Sequence, residues 1–223
     1  MIPLRSTERV QSATAVTGIL IAVNVLVFLY QFSMDQFALT QFVERWGLIP
    51  DAVSGNLHTL FTSMFLHGGW LHLLGNMLFL WVFGRNVEDL IGGGRFLVFY
   101  LCCGLAAAIL QVVTSPYSRV PTIGASGAIA GVMGAYLIKF PRARIVTLVP
   151  IIIFITTIEI PAWAMLVWWF VIQLFSGLGS LGSTNYSGGI AWFAHVGGFV
   201  AGMLLIRAFP VKRRQWRAWY EEE

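Results

Sequence analysis

The chain has 223 residues, of which 57% are hydrophobic and only 11% charged, with a net charge of +4 and a mean hydropathy of +0.77. Soluble domains carry about 25% charged residues, so a water-soluble globule is excluded; this length cannot enclose so much apolar surface. The apolar runs are continuous rather than alternating, which excludes a transmembrane barrel and leaves a polytopic helical membrane protein of one domain.

A spanning helix needs about 20 apolar residues, and six candidates are expected. Residues 1–12 read as a cytoplasmic amino-terminal tail. The first span runs from about Ala13 to Phe32. No small-residue cleavage site follows it, so it reads as a permanent helix and not a signal peptide. Residues 33–67 form a long connection, too rich in Phe37, Phe42, Trp46, Phe61 and Phe65 for a solvated loop. Short helices lying in the membrane interface are expected there.

The second span starts after Gly68-Gly69 and ends near Arg85, and the third runs from about Arg95 to Val113. The only cysteines, Cys102 and Cys103, are neighbours in that third run; adjacent cysteines rarely meet disulfide geometry, and they read as small core residues. The fourth span opens at Ser126 and stops near Lys139, before Pro141. Residues 145–160 are apolar and β-branched, and extended, helical and fifth-span readings all remain open for them. The fifth span runs from about Pro161 to Gly177 and the sixth from about Gly189 to Phe209. The membrane domain is thus 13–209. Residues 210–223 form a basic and aromatic cytoplasmic tail, with Trp216, Trp219 and Tyr220 suited to interfacial anchoring.

Basic residues orient this arrangement. With six spans and an inner amino terminus, Arg45 and Arg119 fall outside and the other twelve of the 14 lysines and arginines fall inside. Both termini then face the cytoplasm by the positive-inside rule. A multi-pass protein of a bacterial-type plasma membrane fits this pattern.

Polar groups inside a bilayer are costly, and their default reading is a functional site. Ser126 stands in Gly124-Ala125-Ser126-Gly127 at the start of the fourth span. His195 stands in the sixth, ahead of Gly198 and Gly202, and His72 and Asn76 stand in the second. These three spans run in the same direction, so the four side chains share one side of the membrane. The fourth span is only about 14 residues, or roughly 21 Å at 1.5 Å per residue. It therefore begins about 9 Å below the outer face of a 30 Å core. His195 lies about six residues into its span, again roughly 9 Å down.

Gly198 and Gly202 on one helix, and Gly127 and Gly131 on the other, repeat at the GxxxG spacing that lets backbones approach closely. His72 and Asn76, four residues apart, share a helix face and can both donate hydrogen bonds. One hydroxyl, two imidazoles and one carboxamide are parts for acyl transfer. His67, ahead of the Gly68-Gly69 break, reads equally as a structural residue and as part of the site. The histidines do not follow zinc-ligand spacing, and no metal or organic cofactor is expected.

These elements resemble the rhomboid family of intramembrane serine proteases. The matching residues are His67, His72 with Asn76, Gly124-Ala125-Ser126-Gly127, and Ala194-His195 followed by Gly198 and Gly202. The resemblance covers about Gly47 to Gly202 in the family's order. It implies an all-α six-transmembrane-helix bundle with a short central fourth helix. It implies Ser126 as nucleophile, His195 as general base, and His72 and Asn76 with nearby backbone N–H groups as the oxyanion hole. Gly124, Gly127, Gly198, Gly202 and His67 would be structural residues near the site.

Two departures stand out. The local order Arg45-Trp46 reverses the Trp-Arg pair common in the family. Ala130 occupies the position one turn beyond the serine where an aromatic would support the histidine ring. No Asp or Glu falls in the second, fourth or sixth span as bounded above, so no third acid is expected.

A nucleophile below the surface is reached most readily by chains already in the membrane. The resemblance accordingly implies single-span or multi-span membrane proteins as substrates, within the lipid bilayer and without nucleic acid. A small residue at the cleavage point is implied as well. The polar run 183–189 reads either as a lid over the site or as a plain connection. A rhomboid-like protein that only binds membrane clients, and a small transporter, are the competing classes. The presence of both Ser126 and His195 argues against the first, and the lack of an intramembrane acid cluster and of a repeat between halves argues against the second.

Overall fold

The computed structural model describes residues 2–151, 154–180 and 191–211. The run 183–189, the start of the expected sixth span at Gly189 and the tail from residue 212 onward lie outside these residues. The described chain is mostly helical. Among the described residues, three helices are long and apolar enough to cross a membrane: α1 (Ala15–Phe32), α6 (Gly93–Thr114) and α8 (Ala162–Ser180). Two shorter apolar helices, α7 (Ser126–Lys139) and α9 (Trp192–Leu205), accompany them.

The connection after α1 is built of short helices. These are α2 (Gln36–Trp46), a 3-10 segment Pro50–Gly55, α3 (Thr59–Thr62) and a 3-10 turn Ser63–Phe65. The chain then bends by 97° at Gly68-Gly69. It enters α4 (Trp70–Phe79), continues through a π-helical turn Leu80–Gly84, and runs on as α5 (Arg85–Ile91). This helical run is longer than its sequence suggests, because Arg85 does not end it. Glu88 and Asp89 lie on the extension, both buried, and both are used locally. Glu88 accepts from the N–H groups of Val16 and Thr17 and from the Thr17 hydroxyl, at 2.6–2.9 Å. Asp89 accepts from the backbone of Gln11 and Ser12 and from the Ser12 hydroxyl. The first turn of α1 has N–H groups without intrahelical partners, and a carboxylate from α5 satisfies them.

The all-helical expectation is corrected by a three-stranded antiparallel sheet in the order β1-β2-β3. Its strands are β1 (Ile2–Ser6), β2 (Arg144–Ile151) and β3 (Phe154–Pro161). The β-branched residues of 145–160 pair with each other, Thr147 opposite Ile158 and Arg144 opposite Pro161. Such side chains favour a pleated, half-buried surface over a helix. The extended alternative for this stretch is therefore the one found. Within the expected amino-terminal tail, residues 2–6 pair with β2, Ile2 opposite Leu148 and Ser6 opposite Ile145. Ser6 also shares a 2.5 Å hydrogen bond with the Tyr136 hydroxyl on α7.

Helix α7 is the centre of the molecule: every residue from Gly127 to Tyr136 is buried. Glycines on the faces toward α6 and α9 permit this close an enclosure. A methyl group built on Gly198 of α9 would overlap the Gly127 carbonyl oxygen, and one on Gly202 would overlap that of Gly131. On the other flank, a methyl on Gly127 would lie 2.6 Å from Ala107 Cβ, and one on Gly131 2.5 Å from Cys103 Sγ, both on α6. Helices α7 and α9 thus pack with their backbones almost in contact, and the small side chains of α6 close on α7 from the other flank. Cys103 is buried in this seam and Cys102 is exposed beside it; both are free thiols.

Four variants have expected stability outcomes in detergent melts of the intact protein. Gly198→Ala places a methyl against backbone that cannot yield and should cost roughly 1–3 kcal/mol. Gly18→Ala in α1, where a methyl meets nothing within 4 Å, should be neutral or stabilising by about 0.5–1 kcal/mol. Glu88→Ala strips the acceptor from the start of α1 and should cost roughly 1–3 kcal/mol. Glu88→Gln, which keeps an acceptor oxygen, should lose less.

Candidate active site

Ser126 is the first residue of α7 and His195 the fourth residue of α9. The Gly127–Gly198 contact lies beside both, and it brings the two helix starts together. The Ser126 hydroxyl stands 2.7 Å from His195 Nε2. His195 is buried while Ser126 remains partly open to the cavity in front of it. The two residues therefore meet, on separate helices.

His72 and Asn76 face the same cavity from α4. The Gly68 N–H donates to His72 Nδ1 at 3.3 Å. This contact makes Nδ1 the acceptor and leaves the proton on Nε2. His72 Nε2 in turn lies against Gly124: a methyl built there would be 2.8 Å from it and 3.7 Å from Asn76 Nδ2. Gly124 also has φ +126, a conformation that side-chain-bearing residues rarely adopt. The close approach and the backbone shape both require glycine at 124. Asn76 Nδ2 is buried and has no hydrogen-bond partner among the described residues. An amide donor held without an acceptor beside a cavity is expensive.

The segment before Ser126 is held from the other side. Thr122 and Leu48 exchange both backbone hydrogen bonds, and the Gly124 N–H donates to the Ser63 carbonyl at 2.9 Å. The segment between α1 and α4 therefore forms one wall of the site. Arg45 and Trp46 belong to that wall. The Trp46 carbonyl accepts from the Thr62 hydroxyl, the Arg45 carbonyl is 3.1 Å from His58 Nε2, and the guanidinium lies over the Trp46 ring at 5.6 Å.

His67 is buried behind His72, with ring centres 5.1 Å apart. The Gln31 amide of α1 pairs with both backbone groups of His67, accepting from its N–H at 3.0 Å and donating to its carbonyl at 3.3 Å. His67 thereby anchors the bend into α4 to the first helix. The cavity itself measures about 680 Å³, and Ser126, His195, His72, Asn76, Gly124 and Gly127 all border it.

Two neighbours of His195 were not anticipated from the sequence. Gln173 of α8 is buried, and its Oε1 lies 2.6 Å from His195 Nδ1. The Trp169 ring, one turn earlier on α8, lies 5.7 Å from the imidazole at 38°. The signal that would have found Gln173 is its register. Ala162, Leu166, Gln173 and Gly177 are the buried residues of α8 and recur at helical spacing. Gln173 is the one amide on the inward stripe of a spanning helix.

The family model for the Rhomboid domain matches residues 54–210. Rhomboid protease GluP of Bacillus subtilis is 37% identical over 123 residues, 54% of this chain and 24% of its own length. Rhomboid protein 1, mitochondrial, of Saccharomyces cerevisiae is 27% identical over 194 residues, 83% of this chain and 50% of its own. The human presenilin-associated rhomboid-like protein, mitochondrial, is 33% identical over 135 residues, 58% of this chain and 34% of its own. The chain spans half the length or less of these relatives. The matched stretch runs from within the α1–α4 connection through the whole of α9 and so takes in every residue that borders the cavity from α4, α7 and α9; the chain belongs to the rhomboid family, and it is an integral membrane protein.

Proposed function

We propose that this protein is an intramembrane serine endopeptidase that cleaves transmembrane segments of other membrane proteins. Ser126 is the nucleophile and His195 the general base. The observation that carries this assignment is the 2.7 Å contact between Ser126 Oγ and His195 Nε2, made between two helices across a glycine seam.

In the proposed reaction the Ser126 hydroxyl gives its proton to His195 Nε2 as Oγ attacks the scissile carbonyl carbon. The carbonyl electron pair moves onto oxygen. His72 Nε2–H, Asn76 Nδ2–H and the N–H of Ser126 then donate to that oxyanion. The Ser126 N–H belongs to the first turn of α7 and has no intrahelical acceptor, and the helix dipole adds positive potential there. Collapse of the tetrahedral adduct breaks the C–N bond, and the imidazolium returns its proton to the leaving amine. Water, deprotonated by the same imidazole, hydrolyses the acyl-enzyme.

The architecture proposed around this chemistry is a six-span bundle with α7 as the short fourth span. Both termini face the cytoplasm, by the basic-residue count, and the membrane is of bacterial plasma-membrane type. Residues 13–209 form the membrane domain, flanked by segments 1–12 and 210–223. His67, Gly124, Gly127, Gly198 and Gly202 support the site without reacting. A spanning helix hides its carbonyls in its own hydrogen bonds. Single-span or multi-span substrates must therefore unwind locally, and a small residue at the cleavage point eases entry.

The test is reconstitution in proteoliposomes with a panel of single-span substrates, cleavage sites being mapped by mass spectrometry. A fluorophosphonate probe reports Ser126 directly. Ser126→Ala and His195→Ala should abolish cleavage and probe labelling. Asn76→Ala and His72→Ala should each lower kcat by about 10²–10³, the usual size of loss for an oxyanion donor. Cleavage that persists in Ser126→Ala would refute the assignment. Turnover with no probe labelling in any variant would argue for a different nucleophile.

A further inference from the structure

We infer that Gln173 is a positioning residue for His195: its amide oxygen accepts the Nδ1–H and so holds the imidazole in the tautomer whose Nε2 lone pair faces Ser126. This inference rests on the Ser126–His195 reading of the site.

A neutral imidazole carries one proton, and its two nitrogens are never equivalent once each has a partner. His195 has a partner at each: Gln173 Oε1 at 2.6 Å on Nδ1, and Ser126 Oγ at 2.7 Å on Nε2. The amide is turned with its oxygen, not its nitrogen, toward the ring. An acceptor on Nδ1 requires the proton there, and Nε2 is then free to accept from the serine hydroxyl. The opposite tautomer would place Nε2–H against Ser126 and block proton transfer. The buried amide thus selects the reactive form.

Position and orientation come from the same helix. Trp169 and Gln173 are four residues apart on α8 and share a face. Trp169 lies along the imidazole at 5.7 Å, and Gln173 holds its edge. Ala130, one turn beyond Ser126 on α7, offers no ring to the imidazole. Support for His195 therefore comes from α8 and not from α7.

An amide suits this place better than an acid. A carboxylate among apolar helices would carry an uncompensated charge whenever the imidazole was neutral. Gln173 stays neutral throughout and still accepts the Nδ1–H of both the imidazole and the imidazolium.

The test uses the full chain in proteoliposomes with three measurements. Gln173→Leu keeps volume and removes the acceptor. Its kcat should fall about 10–100-fold, typical for loss of a group that orients a functional imidazole, with KM within about twofold and melting close to wild type. Gln173→Glu restores an acceptor and should recover most of that loss. It should also add an ionisation to the pH profile of kcat that the wild type lacks. Independently, ¹⁵N-histidine NMR of Ser126→Ala should show His195 protonated at Nδ1, the signal being assigned by its loss in Ser126→Ala combined with His195→Ala.

An unchanged kcat in Gln173→Leu, or no recovery in Gln173→Glu, would overturn the inference. So would a His195 signal protonated mainly at Nε2. The NMR measurement needs no turnover. A protein whose Ser126 fails to react would therefore refute the dyad, while the tautomer would still decide the role of Gln173.

Discussion

The near-contact of α7 with α6 and α9 is the constraint on which the rest of this structure depends. In lipid there is no hydrophobic drive to push one apolar helix against another, so close packing must come from shape. Gly127 and Gly131 on α7 meet Gly198 and Gly202 on α9 and small residues on α6, and Gly134 meets the Phe199 backbone, with no room for a methyl at several of these positions. A serine side chain is short. It reaches a neighbouring imidazole only when the two backbones are this near. The same stripes that make α7 the buried axis therefore also bring Ser126 to His195.

The glycine seam leaves the far side of the cavity to other elements, and these are tied in by polar side chains. Gln31 of α1 clamps the backbone at His67, the bend there delivers α4, and α4 delivers His72 and Asn76. Glu88 and Asp89 secure the other end of the same helical run to the start of α1. The site is thus bordered by α4, by α6, α7 and α9, and by the wall around Leu48 and Ser63. Each is fixed by a distinct device. Helix α8 is the least enclosed of the span-length helices. It nevertheless contributes Gln173, which reaches through the apolar layer to His195.

Much of this was legible in the sequence for a physical reason. Spanning helices are set by long apolar runs, and α1, α6, α7 and α8 begin and end within a few residues of the boundaries those runs suggest. Ser126, His195, His72 and Asn76 were legible because isolated polar residues in such runs are rare. The sheet was ambiguous because β-branched apolar residues serve strands and buried helices alike, and its third strand comes from residues 2–6, which pair only through tertiary contact. The extension to Ile91 was missed because Arg85 looks like a membrane boundary, although a helix need not stop where a charge appears. Gln173 was missed because one amide in a tryptophan-rich span carries no pattern of its own. Only its register relative to Ala162, Leu166 and Gly177 marks it as inward-facing.

The placement of charge shows how a lipid-enclosed site can hold reactive groups at modest cost. The polar side chains gathered at the cavity are the hydroxyls of Ser126, Ser63 and Thr122, two imidazoles, a carboxamide and, behind His195, a second carboxamide. All can be neutral at rest. The buried carboxylates Glu88 and Asp89 sit instead where helix-start N–H groups and hydroxyls compensate them. In the proposed reaction, charge arises only when Ser126 loses its proton. It then arises as a pair, an imidazolium on α9 and an oxyanion beside α7, each with donors or acceptors already in place. Opposite charges formed together in a low-dielectric site attract strongly, whereas a permanent carboxylate would have been unpaired in the resting state. A neutral amide behind the imidazole follows from the same electrostatics. The medium that makes a fixed third charge costly also strengthens the field of an oriented dipole.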